Sequence, residues 1–449
     1  MTKERIGAST AVSGRRSGQD GLLWEETAFG LVPRWIREPS LAAVESVCRQ
    51  QLAIPSEDVC NVSFHSSCLF NKLYNVKCAR GSLIMRISLP VYPGYKTRAE
   101  VATLRWVRER TKIPVPAVFS FDDSNDNEIG YEWIIMELMQ GTSAYKRWRT
   151  MSWEQKVVFT DQIAAYQVQL AGLENPTSMF KGIGTLDLRD GGQENVGLEQ
   201  REVILGPLVS HEFFMGDHVH HDIQRGPFPS SHDWLHTVLK IVLLHQASVL
   251  ERSNDEDERE DAEEISAVAR KLLSLLPKIF PNTPDEPETT GLYHHDLHLK
   301  NIMVGEEAEI TAVLDWECVS ALPFWVLTMV PKFLDETVRE EKPQRDLYAD
   351  ATPEGSAAAA VKRNDPDYLD NEGKNELYFI HLMEYEATQL RKVHAARLKE
   401  LWPQWPLRGS YLKVDFFQAV SQCHSIWVRR VRRWVDRLEK GDIIRLADV

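Results

Sequence analysis

The run His294-His295-Asp296-Leu297-His298-Leu299-Lys300-Asn301 is followed, twelve residues after its end, by Val313-Leu314-Asp315-Trp316-Glu317. An aspartate, an asparagine five residues later and a second aspartate after the next strand form the order in which kinase-type sites place a carboxylate base and two Mg²⁺ ligands. We therefore predict that Asp296 acts on an acceptor hydroxyl. We also predict that Asn301 and Asp315 hold Mg²⁺.

The residues between these two runs predict a β-hairpin. A short strand from Asn301 to Val304 leads into the turn Gly305-Glu306-Glu307, and the apolar run Ile310 to Leu314 returns the chain to Asp315. This hairpin would bring the two metal ligands together. The alternative is that these aspartate and asparagine side chains only cap backbone amides in turns. His294 is expected to brace the loop by hydrogen bonding and not to take part in the chemistry.

These motifs resemble the aminoglycoside phosphotransferase family, whose loop reads H-G-D-x-H-x-x-N and whose metal aspartate lies in a D-W-E-like string. The similarity is greater to a fungal branch related to the altered-inheritance-of-mitochondria proteins. Three further stretches carry the resemblance, namely Lys96 to Leu104, Trp133 to Gly141 and Arg225 to Phe228. Membership implies an α+β, protein-kinase-like fold with a small β-rich N-lobe and a larger, mainly helical C-lobe. It also implies ATP and Mg²⁺ as cofactors, but not an aminoglycoside substrate.

Within this resemblance the chain divides into three parts. We expect residues 1–58 to form an N-terminal extension, disordered to about residue 30 and then helical near Ser40 to Leu52, and residues 59–141 to form the nucleotide-binding N-lobe. Residues 142–449 form the C-lobe, which carries the catalytic loop, a long insertion at 185–290, a flexible excursion at 336–373 and C-terminal helices. A capping box at Ser152-Trp153-Glu154-Gln155 predicts a helix that continues to Leu170.

The predicted N-lobe departs from the kinase pattern at two places. The loop expected over the phosphates, around Ser66 and Ser67, contains no glycine, and Arg86 stands where the family pattern has lysine. Serine backbone amides can still meet a phosphate, with less conformational freedom than glycine provides. Arginine keeps its charge and can reach phosphates as a planar fork. Ser66, Ser67 and Arg86 are therefore the predicted phosphate-binding residues, and a surface strand position is the alternative for Arg86.

Three more residues complete the predicted nucleotide site. Glu100 is predicted to begin a helix whose buried stripe includes Val101 and Leu104, and to pair with Arg86. The alternative is that Glu100 only complements the helix dipole. Glu137 and Met139 follow an apolar strand and fall in the expected hinge, where backbone groups would hydrogen-bond adenine.

The amino-acid composition of the chain bears on its binding partners and its cellular compartment. The chain has 449 residues, 43% of them hydrophobic, and a net charge of −14, which argues against a general nucleic-acid surface. No apolar run approaches a membrane span. Six cysteines without a C-x-x-C pair favour a reducing compartment. We therefore predict a cytoplasmic protein. A mitochondrial presequence is the weaker alternative, because the first twenty residues contain Glu4 and Asp20 and have no amphipathic pattern.

Three hypotheses about function remain open at this stage. The first is a phosphotransferase that acts on a hydroxyl of a small molecule. The second is an inactive pseudokinase that serves as a binding or scaffold module, which the glycine-free loop and Arg86 favour. A protein kinase is disfavoured because no A-P-E string follows Asp315-Trp316-Glu317. Neither the substrate nor the oligomeric state can be deduced from the sequence.

Overall fold

The structure is a computed structural model that describes residues 18–27, 30–189, 200–281, 286–348, 376–407 and 409–449. Two compact units are present. The smaller unit comprises the chain up to Arg98 together with Phe119–Met136, and the larger unit comprises Ala99–Val118 together with Glu137–Val449.

The smaller unit is built on an antiparallel meander. The sheet has the order β3-β4-β5-β7-β6, and β1 and β2 form a separate hairpin. Helix α1 (Leu41–Gln51) lies where the sequence predicts a helix. The strands of this unit are β1 (Leu22–Thr27), β2 (Gly30–Trp35), β3 (Cys60–Ser67), β4 (Asn71–Cys78), β5 (Gly81–Ser88), β6 (Val118–Asp122) and β7 (Glu132–Glu137).

Two predictions about this unit are wrong in detail. The stretch expected to be disordered to about residue 30 includes β1, which pairs with β2 along its full length, while residues 1–17 lie outside the described part. The hairpin expected around Ser66 and Ser67 turns later, at residues 68–70. A register shift between Phe64 and Ser66 keeps both serines paired to β4, so strand β3 continues beyond the predicted turn.

Helix α2 (Lys96–Arg110) begins four residues before Glu100, which the sequence placed at the helix start. Most of α2 and the segment after it group with the larger unit, whereas the sequence assigned them to the N-lobe. The reason is packing, because the Trp106 ring lies 5.4 Å from the Phe180 ring. The Lys112 amide also donates to the Gln169 side chain over 2.8 Å.

The larger unit contains two small sheets. One has the order β11-β10-β15-β12-β9 and the other β14-β13-β8, and all of the pairings recorded in them are antiparallel. Their strands are β8 (Thr142–Ser143), β9 (Phe180–Lys181), β10 (Gly184–Arg189), β11 (Glu202–Gly206), β12 (Thr289–Tyr293), β13 (Ile302–Val304), β14 (Ile310–Val313) and β15 (Ser320–Pro323).

Helices form the rest of the larger unit. The predicted capping box is confirmed, because the Ser152 hydroxyl accepts from the Gln155 amide and the Gln155 side chain accepts from the Ser152 amide. The helices are α3 (Ala144–Arg147), α4 (Trp153–Leu170), α5 (His211–Phe214), α6 (Ser231–Arg252), α7 (Glu256–Ile279), α8 (Phe324–Leu327), α9 (Glu376–Leu401), α10 (Ser410–Gln422) and α11 (Val428–Glu439).

The predicted insertion at 185–290 contributes both strands and helices. β10 and β11 extend the five-stranded sheet, and α6 and α7 pack with α10 and α11 around one apolar core that includes Leu239, Leu272 and Trp434. α7 begins within the acidic run, where the Asp255 side chain accepts from the Glu258 amide as an N-cap. Most of the predicted flexible segment at 336–373 lies outside the described residues.

Candidate active site

The catalytic loop leaves β12 and is braced by His294. Its Nε2 donates to the Leu314 carbonyl over 3.1 Å, and its Nδ1 accepts from the Asp296 amide over 3.3 Å. Burial lowers the pKa of His294 to about 4, so the ring is neutral near pH 7. A neutral ring that donates from one nitrogen and accepts at the other matches the bracing role predicted from the sequence.

Asp296 lies between two side chains from its own loop. Asn301 donates from Nδ2 to the Asp296 main-chain carbonyl over 3.0 Å and to carboxylate Oδ2 over 2.8 Å. His298 Nε2 lies 3.3 Å from the other carboxylate oxygen, Oδ1. The Asp296 side chain is 37% exposed, so an acceptor hydroxyl could reach it. No role for His298 is predicted from the sequence.

Asn301 and Asp315 lie at the same end of a hairpin. β13 pairs with β14, and the Leu314 amide donates to the Asn301 carbonyl over 2.8 Å. Asp315 follows directly, with a φ of 63° that non-glycine residues adopt rarely. Mg²⁺ binds through oxygen, usually to one or two carboxylates and solvent. The Asp315 carboxylate and the Asn301 amide oxygen fit this donor set.

The predicted hinge is hydrogen-bonded to the same hairpin. Glu137 ends β7, and its amide and side chain bond the Ala117 carbonyl and amide over 2.9 and 3.2 Å. Half-buried Met139 follows in a segment without regular secondary structure. The Thr311 hydroxyl then donates to the Gln140 carbonyl over 2.7 Å. Main-chain atoms of the hinge thus have a fixed position relative to β14.

Gly141 makes this close approach feasible. Its φ is +124°, and a Cβ at this position would meet the Val304 carbonyl oxygen at 2.8 Å and the Thr311 hydroxyl at 2.5 Å. The next two residues form β8 and pair with β13, with Ser143 opposite Met303. Only glycine combines this backbone conformation with so little space.

The predicted phosphate-binding residues lie in the smaller unit. Ser66 and Ser67 are exposed at the end of β3, opposite Leu73 and Lys72. Arg86 lies on β5 and is 6% exposed, so it is not the surface strand residue that the alternative reading assumed. An arginine buried to this degree needs polar partners, which is consistent with a positioned cation.

Sequence reasoning missed the residues that hold the turn after β3. Asn71 is fully buried, and its side-chain oxygen accepts from the Ser88 hydroxyl over 2.7 Å and from Lys96 Nζ over 3.1 Å. The Cys68 amide donates to the Asn71 carbonyl over 2.9 Å. Lys96 is 1% exposed, and no sequence pattern distinguishes such a lysine from a surface lysine at a helix start.

Glu100 is 2% exposed and lies in the second turn of α2. The helix dipole is therefore a weaker explanation for this glutamate than the sequence suggested, because the effect falls off within the first turn. Its predicted pairing with Arg86 stays a prediction.

A cavity of about 470 Å³ lies in the larger unit beside the catalytic loop. His295, directly before Asp296, forms part of its wall, as does Tyr293 at the end of β12. The wall is otherwise rich in apolar and aromatic side chains from α6, from α10, from the segments between these helices and from the segment before α6. They include Leu208, Trp234, Leu322, Met329, Trp405, Tyr411, Val414 and Phe417.

The charged side chains of this cavity are paired within the protein. Lys332 Nζ contacts Asp335 Oδ2 at 3.1 Å. Arg445 binds both carboxylate oxygens of buried Asp415 at 2.7 and 3.1 Å. The Glu212 carboxylate accepts from the Ser210 hydroxyl over 2.6 Å. Two cations and two carboxylates in the wall cancel in formal charge.

The fold and these motifs agree with the comparison to family models. The model of the phosphotransferase enzyme family matches residues 66–326, which is more than half of the chain. The chain belongs to this family. The family and fold inferred from the sequence are thereby confirmed, including the β-rich N-terminal and helical C-terminal regions.

Two fungal relatives match parts of the chain. A subtelomeric hrmA-associated cluster protein of Aspergillus fumigatus is 25% identical over 306 residues, which cover 59% of this chain and 58% of the relative. Altered inheritance of mitochondria protein 9, mitochondrial, of Saccharomyces cerevisiae is 25% identical over 298 residues, covering 56% of this chain and 46% of the relative. The matches thus span about half of the length of these relatives.

Solved structures of aminoglycoside phosphotransferases are also similar. A thermostable mutant of aminoglycoside phosphotransferase APH(4)-Ia is 12% identical, with a TM-score of 0.44 over 89% of this chain and 100% of that one. A putative aminoglycoside phosphotransferase from Ralstonia eutropha is 12% identical, with a TM-score of 0.38 over 88% of this chain and 99% of that one. In the described part of the chain, no helix has the length and apolarity needed to cross a membrane.

Proposed function

We propose that the protein transfers the γ-phosphoryl group of ATP, with Mg²⁺, to a hydroxyl of a small molecule. The observation that carries this proposal is the arrangement of Asp296, Asn301 and Asp315. One carboxylate is half-exposed on a braced loop, and two oxygen donors lie at one end of the adjoining hairpin. A base beside a pair of metal ligands is the minimal set for phosphoryl transfer in this fold.

Each residue has a defined part in the proposed reaction. Asp296 accepts the proton of the acceptor hydroxyl while the hydroxyl oxygen forms a bond to the γ-phosphorus of ATP. The bond between the γ-phosphorus and the oxygen that bridges it to the β-phosphate breaks, and ADP is released. Asn301 positions the Asp296 carboxylate through its amide nitrogen and offers its amide oxygen to Mg²⁺. Bound Mg²⁺ neutralises charge on the phosphates. Arg86 and the backbone of Ser66 and Ser67 bind phosphate, Glu100 positions Arg86, and the chain at Glu137 and Met139 binds adenine.

We propose that the acceptor binds in the cavity beside His295. Its volume, about 470 Å³, is in the range of small-molecule pockets. A polycationic acceptor would require an excess of carboxylates, yet Lys332 and Arg445 balance Asp335 and Glu212 in this wall. The aromatic and aliphatic surface therefore favours an uncharged acceptor with a flat apolar part and at least one hydroxyl.

A matched panel tests the acceptor class. Full-length protein is incubated with ATP, Mg²⁺ and either neutral aryl alcohols or polycationic aminoglycosides, and ADP release is followed. We expect turnover with members of the first group only. Gln418→Glu adds one carboxylate to the wall with almost no change in shape, so it should improve aminoglycoside binding and leave neutral acceptors unaffected. Turnover of aminoglycosides by the unchanged protein would refute this choice of acceptor.

The inactive binding module is the second candidate, and the glycine-free turn at residues 68–70 favours it. The two candidates differ in phosphoryl transfer to water. An active site of this type should release phosphate from ATP slowly without an acceptor, and Asp315→Asn should abolish that release. ATP binding without any release would support the binding module.

The compartment is also a proposal. We propose a cytoplasmic protein, since all six cysteines are free thiols, as a reducing compartment requires. The yeast relative is named mitochondrial, and this is the alternative. Fractionation of cells that express the full-length chain with a C-terminal tag distinguishes the two compartments.

A further inference from the structure

A cluster of Asp217, His218 and His245 lies away from the residues proposed for phosphoryl transfer. Asp217 and His218 belong to a short turn after α5, whereas His245 lies on α6, 27 residues further along the chain. One ligand atom from each of the three residues lies within 4.8 Å of the others. It is the only such group of three in the described part of the chain. The spacing in sequence matches no standard zinc motif, so only the fold reveals it.

The two imidazoles have the separation that a shared metal requires. His218 Nε2 lies 3.4 Å from His245 Nδ1, and the ring planes are 79° apart. A tetrahedral Zn²⁺ with two bonds of about 2.0–2.1 Å separates its nitrogen ligands by about 3.3–3.4 Å. The observed separation therefore needs no closing movement of either ring.

His218 is held in the form that binds a metal. Its Nδ1 lies 2.9 Å from the Glu212 carbonyl, and a carbonyl can only accept, so Nδ1 carries the proton and Nε2 presents its lone pair to His245. A bond from the second ring nitrogen to a backbone carbonyl is the usual support of a metal-binding histidine.

The turn that carries the first two ligands is clamped by one side chain. Arg225 donates to the carbonyls of Phe213, His218, Val219 and His221 over 2.7 to 3.2 Å. A turn fixed by four such bonds holds its ligands without the entropy loss of ordering a free loop.

Asp217 supplies an oxygen on the third side. Its carboxylate Oδ1 lies 3.6 Å from His221 Nε2, and its Oδ2 lies 3.7 Å from Arg252 Nη2. A bound cation would compete with these two side chains for the carboxylate. Carboxylate oxygen with two imidazole nitrogens is a donor set suited to Zn²⁺, with a fourth position for solvent.

We propose that Asp217, His218 and His245 form a binding site for Zn²⁺ or a similar divalent transition-metal ion. The metal ties the turn after α5 to α6. Glu212, whose carbonyl supports His218, also lines the cavity assigned to the acceptor. A bound ion would therefore stabilise one wall of that cavity without taking part in phosphoryl transfer.

The experiment titrates metal-free, full-length protein with Zn²⁺ against a chromophoric chelator, in excess Mg²⁺ so that the magnesium ligands are occupied. We expect one Zn²⁺ per chain and a rise in melting temperature on binding. His218→Ala and His245→Ala should each weaken Zn²⁺ binding by at least about 100-fold. Loss of a residue that only supports a metal ligand typically costs about 10- to 100-fold in affinity, and loss of the ligand itself should cost more. Co²⁺ should give the visible absorption of a tetrahedral site in the unchanged protein and lose it in both variants.

His236→Ala is the matched control, because His236 is an exposed histidine on the same helix. Its affinity for Zn²⁺ should equal that of the unchanged protein. His245→Gln is the second variant should His245→Ala fail to fold, since glutamine retains volume and polarity. Absence of stoichiometric binding, or equal affinity in the His218, His245 and His236 variants, would show that the two rings only share a hydrogen bond.

Discussion

Asn301 donates both hydrogens of its side-chain amide to Asp296, one to the main-chain carbonyl at 3.0 Å and one to carboxylate Oδ2 at 2.8 Å. The residue proposed to hold Mg²⁺ therefore also sets the orientation of the proposed base. Substitution of Asn301 should affect both metal binding and the orientation of the base. Substitution of Asp296 should affect the base alone.

Asp296→Asn should remove turnover and leave nucleotide binding intact. The asparagine keeps an oxygen that accepts from Asn301, so the loop retains its shape, but an amide cannot take the hydroxyl proton. A base of this kind contributes about 10²- to 10⁴-fold in rate. The measurement is kcat with any acceptor that is turned over, together with the dissociation constant for ATP. Turnover within threefold of the unchanged protein would disprove the role of Asp296.

Asp315→Asn should abolish the Mg²⁺-dependent part of the thermal shift caused by ATP. Asparagine tolerates the left-handed backbone found at this position, so the loss would reflect the missing charge and not strain. Asp257→Asn, at an exposed position in α7, is the control and should leave the shift unchanged. A full shift in Asp315→Asn would remove this residue from the metal site.

Arg86→Met should weaken ATP binding by about 10- to 100-fold, the value of one charge-assisted hydrogen bond of roughly 1.5–3 kcal/mol. Arg86→Lys should recover much of this loss, because lysine retains the positive charge. Isothermal titration calorimetry of the unchanged protein and both variants with ATP measures the dissociation constants. Equal affinity in all three proteins would mean that the guanidinium is structural.

Gly141→Ala should destabilise the larger unit by about 1–3 kcal/mol, the usual cost of a strained backbone. The added Cβ would lie 2.8 Å from the Val304 carbonyl, at a backbone angle that alanine avoids. Gly409→Ala is the control, because glycine there also has a positive φ but has no atom near its Cβ position. We expect urea denaturation to show a larger loss for Gly141→Ala. If both variants lost the same free energy of unfolding, the positive φ alone would explain the cost, and the contact with Val304 would contribute nothing.

His394 should make stability depend on pH. It is fully buried in α9, where its Nε2 lies 2.6 Å from the Gln167 side-chain oxygen, and burial lowers its pKa to about 4 from 6.5. Between these values the unfolded chain binds a proton that the folded chain does not, so stability falls as pH falls from 6.5 towards 4. His394→Gln should reduce the slope in that window by up to roughly 1.4 kcal/mol per pH unit. Melting curves from pH 4.5 to 7.5 measure it, and an unchanged slope would contradict the assignment.

The fold and the catalytic loop could be predicted because their signals are local. Asp296, Asn301 and Asp315 are separated by one turn and one hairpin, so alternation of apolar residues and turn chemistry suffices to bring them together. The capping box at Ser152 is local in the same way.

Features that depend on distant contacts could not be predicted. The late turn after β3 depends on Asn71, whose partners Ser88 and Lys96 are 17 and 25 residues away. The helix α2 begins at Lys96, which is buried although lysine usually lies at the surface. The pair of His218 and His245 forms only because α6 folds back beside the turn.

The bond from Thr311 to the Gln140 carbonyl and the pairing of β8 with β13 fix the length of the connection between β7 and α3. An inserted or deleted residue between Met139 and Thr142 would disrupt both sets of bonds at once. If this connection binds adenine as proposed, changes in purine preference would come from substitutions in it and not from changes in its length. Selectivity at the proposed nucleotide site would then be set by side chains on a backbone of constant length.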